Sequence, residues 1–349
     1  MALSPTESAL PLAEAQRLWS PARPYLNTAS YGLPPAPAWA ELMAALEDWR
    51  HGRTSWEAWT ESTERARRAF ARLVGTRSED VATGDSASQL VALVAASLPS
   101  GARVLAPERD FASLLFPLAV RAEVTTVPLA RLADSVEPGV ALVALSAVQS
   151  ATGEVADVRA VAAAARAQGA LVLVDATHAV GWLPIAAADV DYLVCAAYKW
   201  LLSPRGTAFL AVRPGLLERV PALAANWWSS DDPYGTYYGL PIRLAEDARR
   251  LDTSPAWFSW VGAAPALELL ERIGVGEIHR HDVALANRFR AGLGLPPGDC
   301  AIVSVERAGA EERLARAGIL ASVRAGSLRA SFHLYNTEAD VDAALAALL

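Results

Sequence analysis

Six short, almost unbroken apolar runs are spaced through the middle of this chain: Arg103–Ala106, Val124–Pro128, Val140–Leu145, Leu171–Val174, Tyr192–Val194 and Thr207–Val212. Between them, Asp110–Arg121 and Asp157–Gln168 carry a helical pattern. A strand with one wet face alternates apolar and polar residues, whereas a strand covered on both faces is apolar throughout. Continuous apolar strands separated by helices therefore predict a mostly parallel sheet with helices on both faces. Ligands of such sheets gather at the carboxyl ends of the strands. With 349 residues, 53% of them apolar, the chain can bury a large core, and its length predicts one large domain and a smaller one. Beyond an aromatic, turn-rich stretch near 221–252, two helical patterns (Val261–Arg272 and Ile278–Leu293), two short strands and a closing helix (Glu338–Leu349) read as a small α+β domain. The expected division is an N-terminal segment over 1–25 packing on the small domain, a large domain over 26–255 and the small domain over 256–349.

Charge and cysteine usage narrow the class. A formal net charge of −7 argues against nucleic acid or an anionic membrane as the main partner. Two cysteines, Cys195 and Cys300, are too few for a disulfide framework and fit a reducing compartment. The octet from Met1 to Ser8 has no basic stretch leading into an apolar one, so no signal peptide is expected. No run is long and apolar enough to span a bilayer. The expectation is a cytoplasmic protein with no resident metal.

Lys199 is the sole lysine in a chain whose lysines and arginines total 31. Arginine meets every other need for positive charge, but a guanidinium cannot condense with an aldehyde to form a Schiff base, whereas a primary amine can. Lys199 follows the apolar run Asp191–Val194, at the ligand-bearing end of a buried strand. That position favours a pyridoxal phosphate (PLP) enzyme over a leftover surface lysine. Asp175 ends the apolar run Leu171–Val174 and is placed to pair with a pyridine nitrogen, so that the ring can act as an electron sink; a helix N-cap is the plainer alternative. Thr83–Gln89 opens a helix with small hydroxyl residues that could receive a phosphate, or could simply cap it. Phe111 could stack on a ring or belong to the core. Arg329, in an otherwise strand-like run, needs a carboxylate, which a substrate amino acid or an internal acid could supply.

With these residues in hand, the chain resembles the class V aminotransferase family of fold-type I PLP enzymes, the group that holds cysteine desulfurases, kynureninases and isopenicillin N epimerase-like proteins. The resemblance runs from Tyr25-Leu-Asn-Thr-Ala-Ser30 to the C-terminus. It rests on Val172-Leu-Val-Asp-Ala-Thr-His178, Ala197-Tyr-Lys-Trp200 with Pro204-Arg-Gly206, and Arg329-Ala-Ser-Phe-His-Leu-Tyr-Asn-Thr337. It implies an α/β fold with a mostly parallel seven-stranded sheet between helices and a small α+β C-terminal domain. It implies an internal aldimine at Lys199, which later shuttles the α-proton, with Asp175 on the pyridinium nitrogen and His178 near the phosphate or ring hydroxyl. By the same resemblance Ser86, Ala87, Ser88 and Tyr198 would serve the phosphate, Phe111 would stack where many relatives place histidine, and Gln149 or Ser150 would reach the ring hydroxyl. Arg329 would clamp the substrate carboxylate, with Asn27 and Trp228 also at the substrate. A homodimer with shared active sites is implied, Ser254 reaching a neighbour's phosphate.

Two departures bear on the reaction. Cysteine desulfurases carry a catalytic cysteine before the carboxylate-binding arginine, and Arg324–Arg329 has none. Ala196 stands where relatives often have a phosphate-binding serine or threonine. The cysteine-free loop and the aromatic residues Trp227, Trp228, Tyr234, Tyr237 and Tyr238, which form either a pocket or dimer packing, lead to a lyase-type reaction on an amino acid, such as C–S or Cβ cleavage of a cysteine conjugate. Transamination to a keto acid is the alternative, with epimerisation or a PLP-free relative further off.

Overall fold

The computed structural model describes residues 9–54 and 56–349; the octet read for a signal peptide lies outside them. The chain builds α1 (Leu12–Ala15), α2 (Ala36–Arg50), α3 (Trp56–Leu73), β1 (Val81–Gly84), α4 (Ala87–Ala96), β2 (Arg103–Pro107), α5 (Ala112–Ala119), β3 (Glu123–Val127), β4 (Val140–Ser146), α6 (Val158–Ala167), β5 (Leu171–Asp175), β6 (Tyr192–Ala196) and β7 (Ala208–Val212). It continues through α7 (Trp257–Ile273), α8 (Val275–Gly292), β8 (Ile302–Val305), α9 (Ala310–Arg316), β9 (Ser322–Arg324), β10 (Ser327–Ser331) and α10 (Glu338–Leu348). No helix among the described residues is long and apolar enough to cross a membrane.

Seven strands form one sheet in the order β1-β7-β6-β5-β4-β2-β3, and only β7 runs against the others. The expected mostly parallel seven-stranded sheet is therefore observed. Apart from the edge strand β3, whose residues are exposed or half-buried, its apolar strands are apolar for the anticipated reason. Along β5, Val172 and Val174 face one buried cluster with Val143, Leu193 and Phe209, while Leu173 faces the other with Leu142, Val194 and Leu210. Each such side chain contributes roughly 1.5–3 kcal/mol on leaving water. Crossover helices hold the parallel strands in place. Asp157 caps α6 by accepting the Ala160 N–H at 2.9 Å, and Thr337 with Asp340 forms a reciprocal capping box on α10.

Several elements escaped the sequence reading: β1, α1, α2, α3, α9 and one of the three short strands β8, β9 and β10, where two were expected. β1 has only four residues and ends in glycine, too short to register as a run. The helices α2 and α3 lie in alanine-, tryptophan- and glutamate-rich sequence and pack on α7. Arg65 of α3 ties the three together, bonding Glu41 of α2 at 3.0 Å and Glu268 of α7 at 2.7 Å. The second sheet, β8-β10-β9, is antiparallel. Residues 24–27 run beside it: Leu26 N–H donates to Leu320 O at 2.7 Å and Ser331 N–H donates to Leu26 O at 3.0 Å.

The aromatic segment after Asn226 has no long element and hangs on one buried acid. Asp252 accepts from Arg67 Nη2 at 2.5 Å, from the Thr83 N–H at 2.7 Å and from Trp228 Nε1 at 3.0 Å. Burial pushes its carboxyl upward, and Arg67 opposes that.

Candidate active site

β1, β2, β4, β5 and β6 all point the same way, so their carboxyl ends meet along one edge of the sheet. Lys199 lies just past β6, in a turn fixed from several sides. Gly32 donates its N–H to Tyr198 O at 2.9 Å, Leu202 donates to Lys199 O at 3.0 Å, and Ser203 donates to Ala197 O at 3.1 Å. Gly32 has no alternative, because a Cβ there would run into the Lys199 carbonyl.

The Lys199 side chain is 5% exposed, and Nζ lies 2.6 Å from His178 Nε2. Burial brings its pKa from 10.5 down to about 7; Asp175 favours the charged form, while Arg329 and Arg205 disfavour it. Burial also depresses His178 well below the ordinary histidine range, helped by Lys199 and Arg329. His178 is therefore neutral. An ammonium at Nζ can only donate, so Nε2 accepts and the ring hydrogen rests on Nδ1, which is buried and unpartnered.

Asp175, the last residue of β5, is buried and accepts the Thr177 N–H at 2.9 Å. Burial raises its carboxyl, with the Thr177 hydrogen bonds and Lys199 pulling the other way. Thr177 also accepts the Ala196 N–H at 3.0 Å, locking the end of β5 to the end of β6. Phe111 stands at the N-terminus of α5 with Lys199 Nζ 5.4 Å from its ring centroid. It is aimed by Asp110, a buried residue the sequence reading passed over, which accepts the Phe111 N–H at 2.7 Å and the Ser146 N–H at 2.8 Å. A lone Asp just past a strand was the available signal.

Arg329 lies on β10, 1% exposed. Its Nη1 donates to Ser150 O at 2.6 Å and to Ser150 Oγ at 3.0 Å, and its Nη2 donates to Ser30 Oγ at 3.0 Å. Nε reaches Ser322 Oγ at 3.3 Å. All of these acceptors are neutral, and no carboxylate among the described residues pairs with it. Burial, with Arg324 nearby, lowers it to about 10. A buried cation left with hydroxyls and a carbonyl is a seat for an anion. The internal acid weighed as an alternative is not found among the described residues.

The structure brings Lys199, His178, Asp175, Phe111 and Tyr198 together. The Tyr198 ring lies 5.6 Å from Nζ and 4.5 Å beneath the Arg205 guanidinium. Ser150 is engaged by Arg329, whereas Gln149 Nε2 donates to Glu108 O at 3.2 Å. Asn27 pairs with Ser331, two residues beyond Arg329, and its buried Oδ1 has no partner. Ser86 caps α4, accepting the Gln89 N–H at 3.3 Å and lying 3.3 Å from Ser88 Oγ; Ala87 is the first residue of that helix. Ser254 is exposed beside this turn, next to Thr253, which donates to Thr83 O at 3.3 Å. Trp228 is drawn elsewhere, its indole bonded to Asp252 and its ring 5.8 Å from the Arg249 guanidinium. Ser30, inside a quoted motif but not singled out, proves to be a direct partner of Arg329.

These features fit a phosphorylated aldehyde with a basic ring. A near-neutral amine, a buried carboxylate, an aromatic face and a hydroxyl-rich helix N-terminus share one edge, with unpartnered polar atoms on His178 and Asn27. Comparison with known proteins agrees. A family model described as aminotransferase class-V matches residues 49–310. The uncharacterized aminotransferase YcbU of Bacillus subtilis is 29% identical over 314 residues, covering 82% of this chain and 83% of the relative. The kynureninase of Deinococcus radiodurans is 29% identical over 287 residues, covering 76% and 70%. Among solved structures, a complex between the cystine C-S lyase C-DES and its product cysteine persulfide superposes with a TM-score of 0.84 at 21% identity, covering 94% of this chain and 97% of the other. That last likeness is one of fold.

Proposed function

Because the chain belongs to the class-V aminotransferase family, we propose that Lys199 carries the family's cofactor, PLP, and that the protein acts on an amino acid whose α-carboxylate Arg329 holds. When bound, PLP supplies a carbonyl carbon with which amines condense and a ring that accepts the electron pair left by a bond broken at the α-carbon. The observation that carries the reading is a buried lysine amine, 2.6 Å from His178, sharing one site with a buried arginine that pairs with no acid among the described residues.

Each residue then has a task. Lys199 is neutral in a large fraction of molecules at pH 7, so it can act as a nucleophile without first being deprotonated by another base. The same nitrogen would be the base that takes the proton from the substrate α-carbon. Neutral His178 accepts a hydrogen bond from Nζ and holds that nitrogen in place. Asp175 would hold a proton on the ring nitrogen, and Phe111 would cover a ring face. Ser86, Ala87, Ser88 and Tyr198 would receive the phosphate, and Gln149, whose amide nitrogen is held by Glu108 O, would serve the ring hydroxyl. The Arg329 fork, held by Ser150 and Ser30, exchanges those weak acceptors for the substrate carboxylate, with Asn27 beside it.

The preferred reaction is lyase-type cleavage of a C–S or Cβ bond. The β9–β10 hairpin turns tightly through Arg324-Ala-Gly-Ser327 with no cysteine. Cys195 and Cys300 are both buried, and burial pushes both thiols up. A persulfide route lacks its nucleophile, which sets the chain apart from desulfurases that carry a loop cysteine. Transamination is the second reading, favoured by the relative described as an aminotransferase. We also infer a cytoplasmic homodimer with shared sites. It is supported by exposed Tyr237, Tyr238, Leu240 and Ile242 and by the exposed Ser254 beside the helix that receives the phosphate.

The test mixes yellow protein with aromatic and S-substituted cysteine amino acids while the cofactor spectrum and products are recorded together. Thiol or pyruvate released without a keto acid supports a lyase. A spectrum restored only by adding a keto acid replaces that reading with transamination.

A further inference from the structure

A buried acid–base pair with no task in the scheme above lies behind the lysine. His333 and Asp282 are both fully buried. His333 Nδ1 lies 3.0 Å from Asp282 Oδ2 of α8, and its Nε2 lies 3.0 Å from Trp200 O. A carbonyl oxygen has no hydrogen to give, so Nε2 must donate. Asp282 then fixes the imidazole through Nδ1, either accepting a second N–H or donating a carboxyl hydrogen. The two atoms share one proton in both cases.

The accepting carbonyl belongs to the residue directly after Lys199. The other end of Trp200 is held as well, since its indole N–H donates to Phe332 O at 3.1 Å. The Trp200 carbonyl is also packed against Gly181, where φ is +108° and a Cβ would strike that oxygen. The chain just past the end of β10 thus grips Trp200 at backbone and side chain, and α8 braces the grip. Leu202, at φ +57°, completes a turn that local geometry alone does not favour. The other groups facing the pair are His279 and His281 of α8 and Tyr335, whose ring lies 5.9 Å from that of His333.

We propose that His333, oriented by Asp282, is a positioning residue for Lys199: by donating to the Trp200 carbonyl it fixes the turn that sets Nζ against His178 and Asp175. The proposal rests on Lys199 being the cofactor-bearing amine. Displacing that amine by a fraction of an ångström lowers turnover without altering the Arg329 carboxylate seat. The buried pair would otherwise be an expensive way to hold a loop, because apolar packing does that without desolvating an acid and a base.

Two substitutions separate the bonds. In His333→Gln the amide nitrogen takes the place of Nε2 and can still donate to Trp200 O. In His333→Asn the amide takes the place of Nδ1, which keeps Asp282 and abandons Trp200. The readouts on holoenzyme are the pH midpoint of the yellow absorbance, kcat and KM separately, and thermal stability. His333→Asn is expected to lower kcat by about tenfold or more with KM little changed, and to move the absorbance midpoint by about half a unit or more. His333→Gln is expected to keep the midpoint and kcat while losing thermal stability. Equal effects of the two substitutions, or an unmoved midpoint in folded His333→Asn, overturn the proposal. If His333→Asn does not fold, His333→Gln decides: a midpoint that moves along with stability overturns it. Wild-type protein that never forms a yellow, borohydride-reducible bond at Lys199 would instead overturn the cofactor reading beneath it.

Discussion

Replacing Lys199 by methionine should make the apoenzyme more stable, and by an amount that depends on pH. Burial holds the amine near 7 in the folded protein, while in the unfolded chain it titrates near its ordinary value of about 10.4. Below pH 7 both states bind the proton, and the folded state bears the whole cost of a buried cation. At about 1.36 kcal/mol per pH unit, that cost is on the order of 4–5 kcal/mol. Between pH 7 and 10.5 the unfolded chain binds more protons, so the folded wild type gains stability as pH rises; above 10.5 the cost is gone. Methionine never bears it. Against this stands the lost Nζ–His178 hydrogen bond, about 1 kcal/mol, and an Asp175 left without its cation. That carboxyl is already pushed upward by burial, so taking up a proton limits the loss. The expected result is a Lys199→Met apoenzyme more stable than wild type by about 3 kcal/mol at pH 6, with the advantage shrinking by roughly 1.4 kcal/mol per unit above pH 7. Urea unfolding of both apo forms at pH 6, 7, 8 and 9 measures it. A difference that stays flat across that range refutes the reasoning. Because Lys199 is the only lysine in the chain, competitive acetylation followed by peptide mass spectrometry gives its midpoint independently.

Other substitutions probe the remaining parts. Arg329→Met should raise KM for amino acids by about a hundredfold, with Arg329→Lys recovering little of it because a point charge cannot present two parallel N–H groups; steady-state kinetics over a substrate panel decides. Asp175→Asn should lower kcat by roughly a hundredfold or more, the order seen when one preorganised electrostatic partner is removed, while equilibrium dialysis still finds cofactor bound. Asp252→Asn should cost about 1–3 kcal/mol in unfolding free energy, because it removes one of the two carboxylates on the buried Arg67 guanidinium and leaves Glu64, at 3.1 Å, as its remaining acid; Trp228→Phe, which removes one of several bonds to Asp252, should cost about 1 kcal/mol.

How much of this was legible in the sequence follows from where the information resides. The parallel sheet was readable because double burial forces Val140–Leu145 and Leu171–Val174 to be apolar at every position. β1 was not, since four residues ending in glycine carry no period. β7 was identified as a strand, but its reversed direction is a property of the connections around it. The amine and its carboxylate were legible because each ends an apolar run, and a polar group at that point is placed by the sheet itself. The role of Trp228 was not, because it depends on Asp252, which is 24 residues away and held by Arg67 on α3. Ser30 and Asp110 were missed for the same reason. A hydroxyl or carboxylate becomes part of a site through a partner brought close only by folding.

Arg329 and His333 illustrate the limit most sharply, since both lie in one quoted motif four residues apart. Alternation along a strand sends Arg329 into the site, where its acceptors are all neutral. Past the end of β10 the chain turns, and His333 points instead at the back of the lysine turn. The motif therefore reaches the lysine turn from two sides, by a buried guanidinium on neutral acceptors in front and by a hydrogen bond to the Trp200 carbonyl behind. Only the first was readable as chemistry, because an arginine in an apolar run demands a partner. A histidine in such a run is satisfied as readily by a backbone carbonyl as by a ligand, and the choice between them is made by Asp282 on a helix some fifty residues earlier.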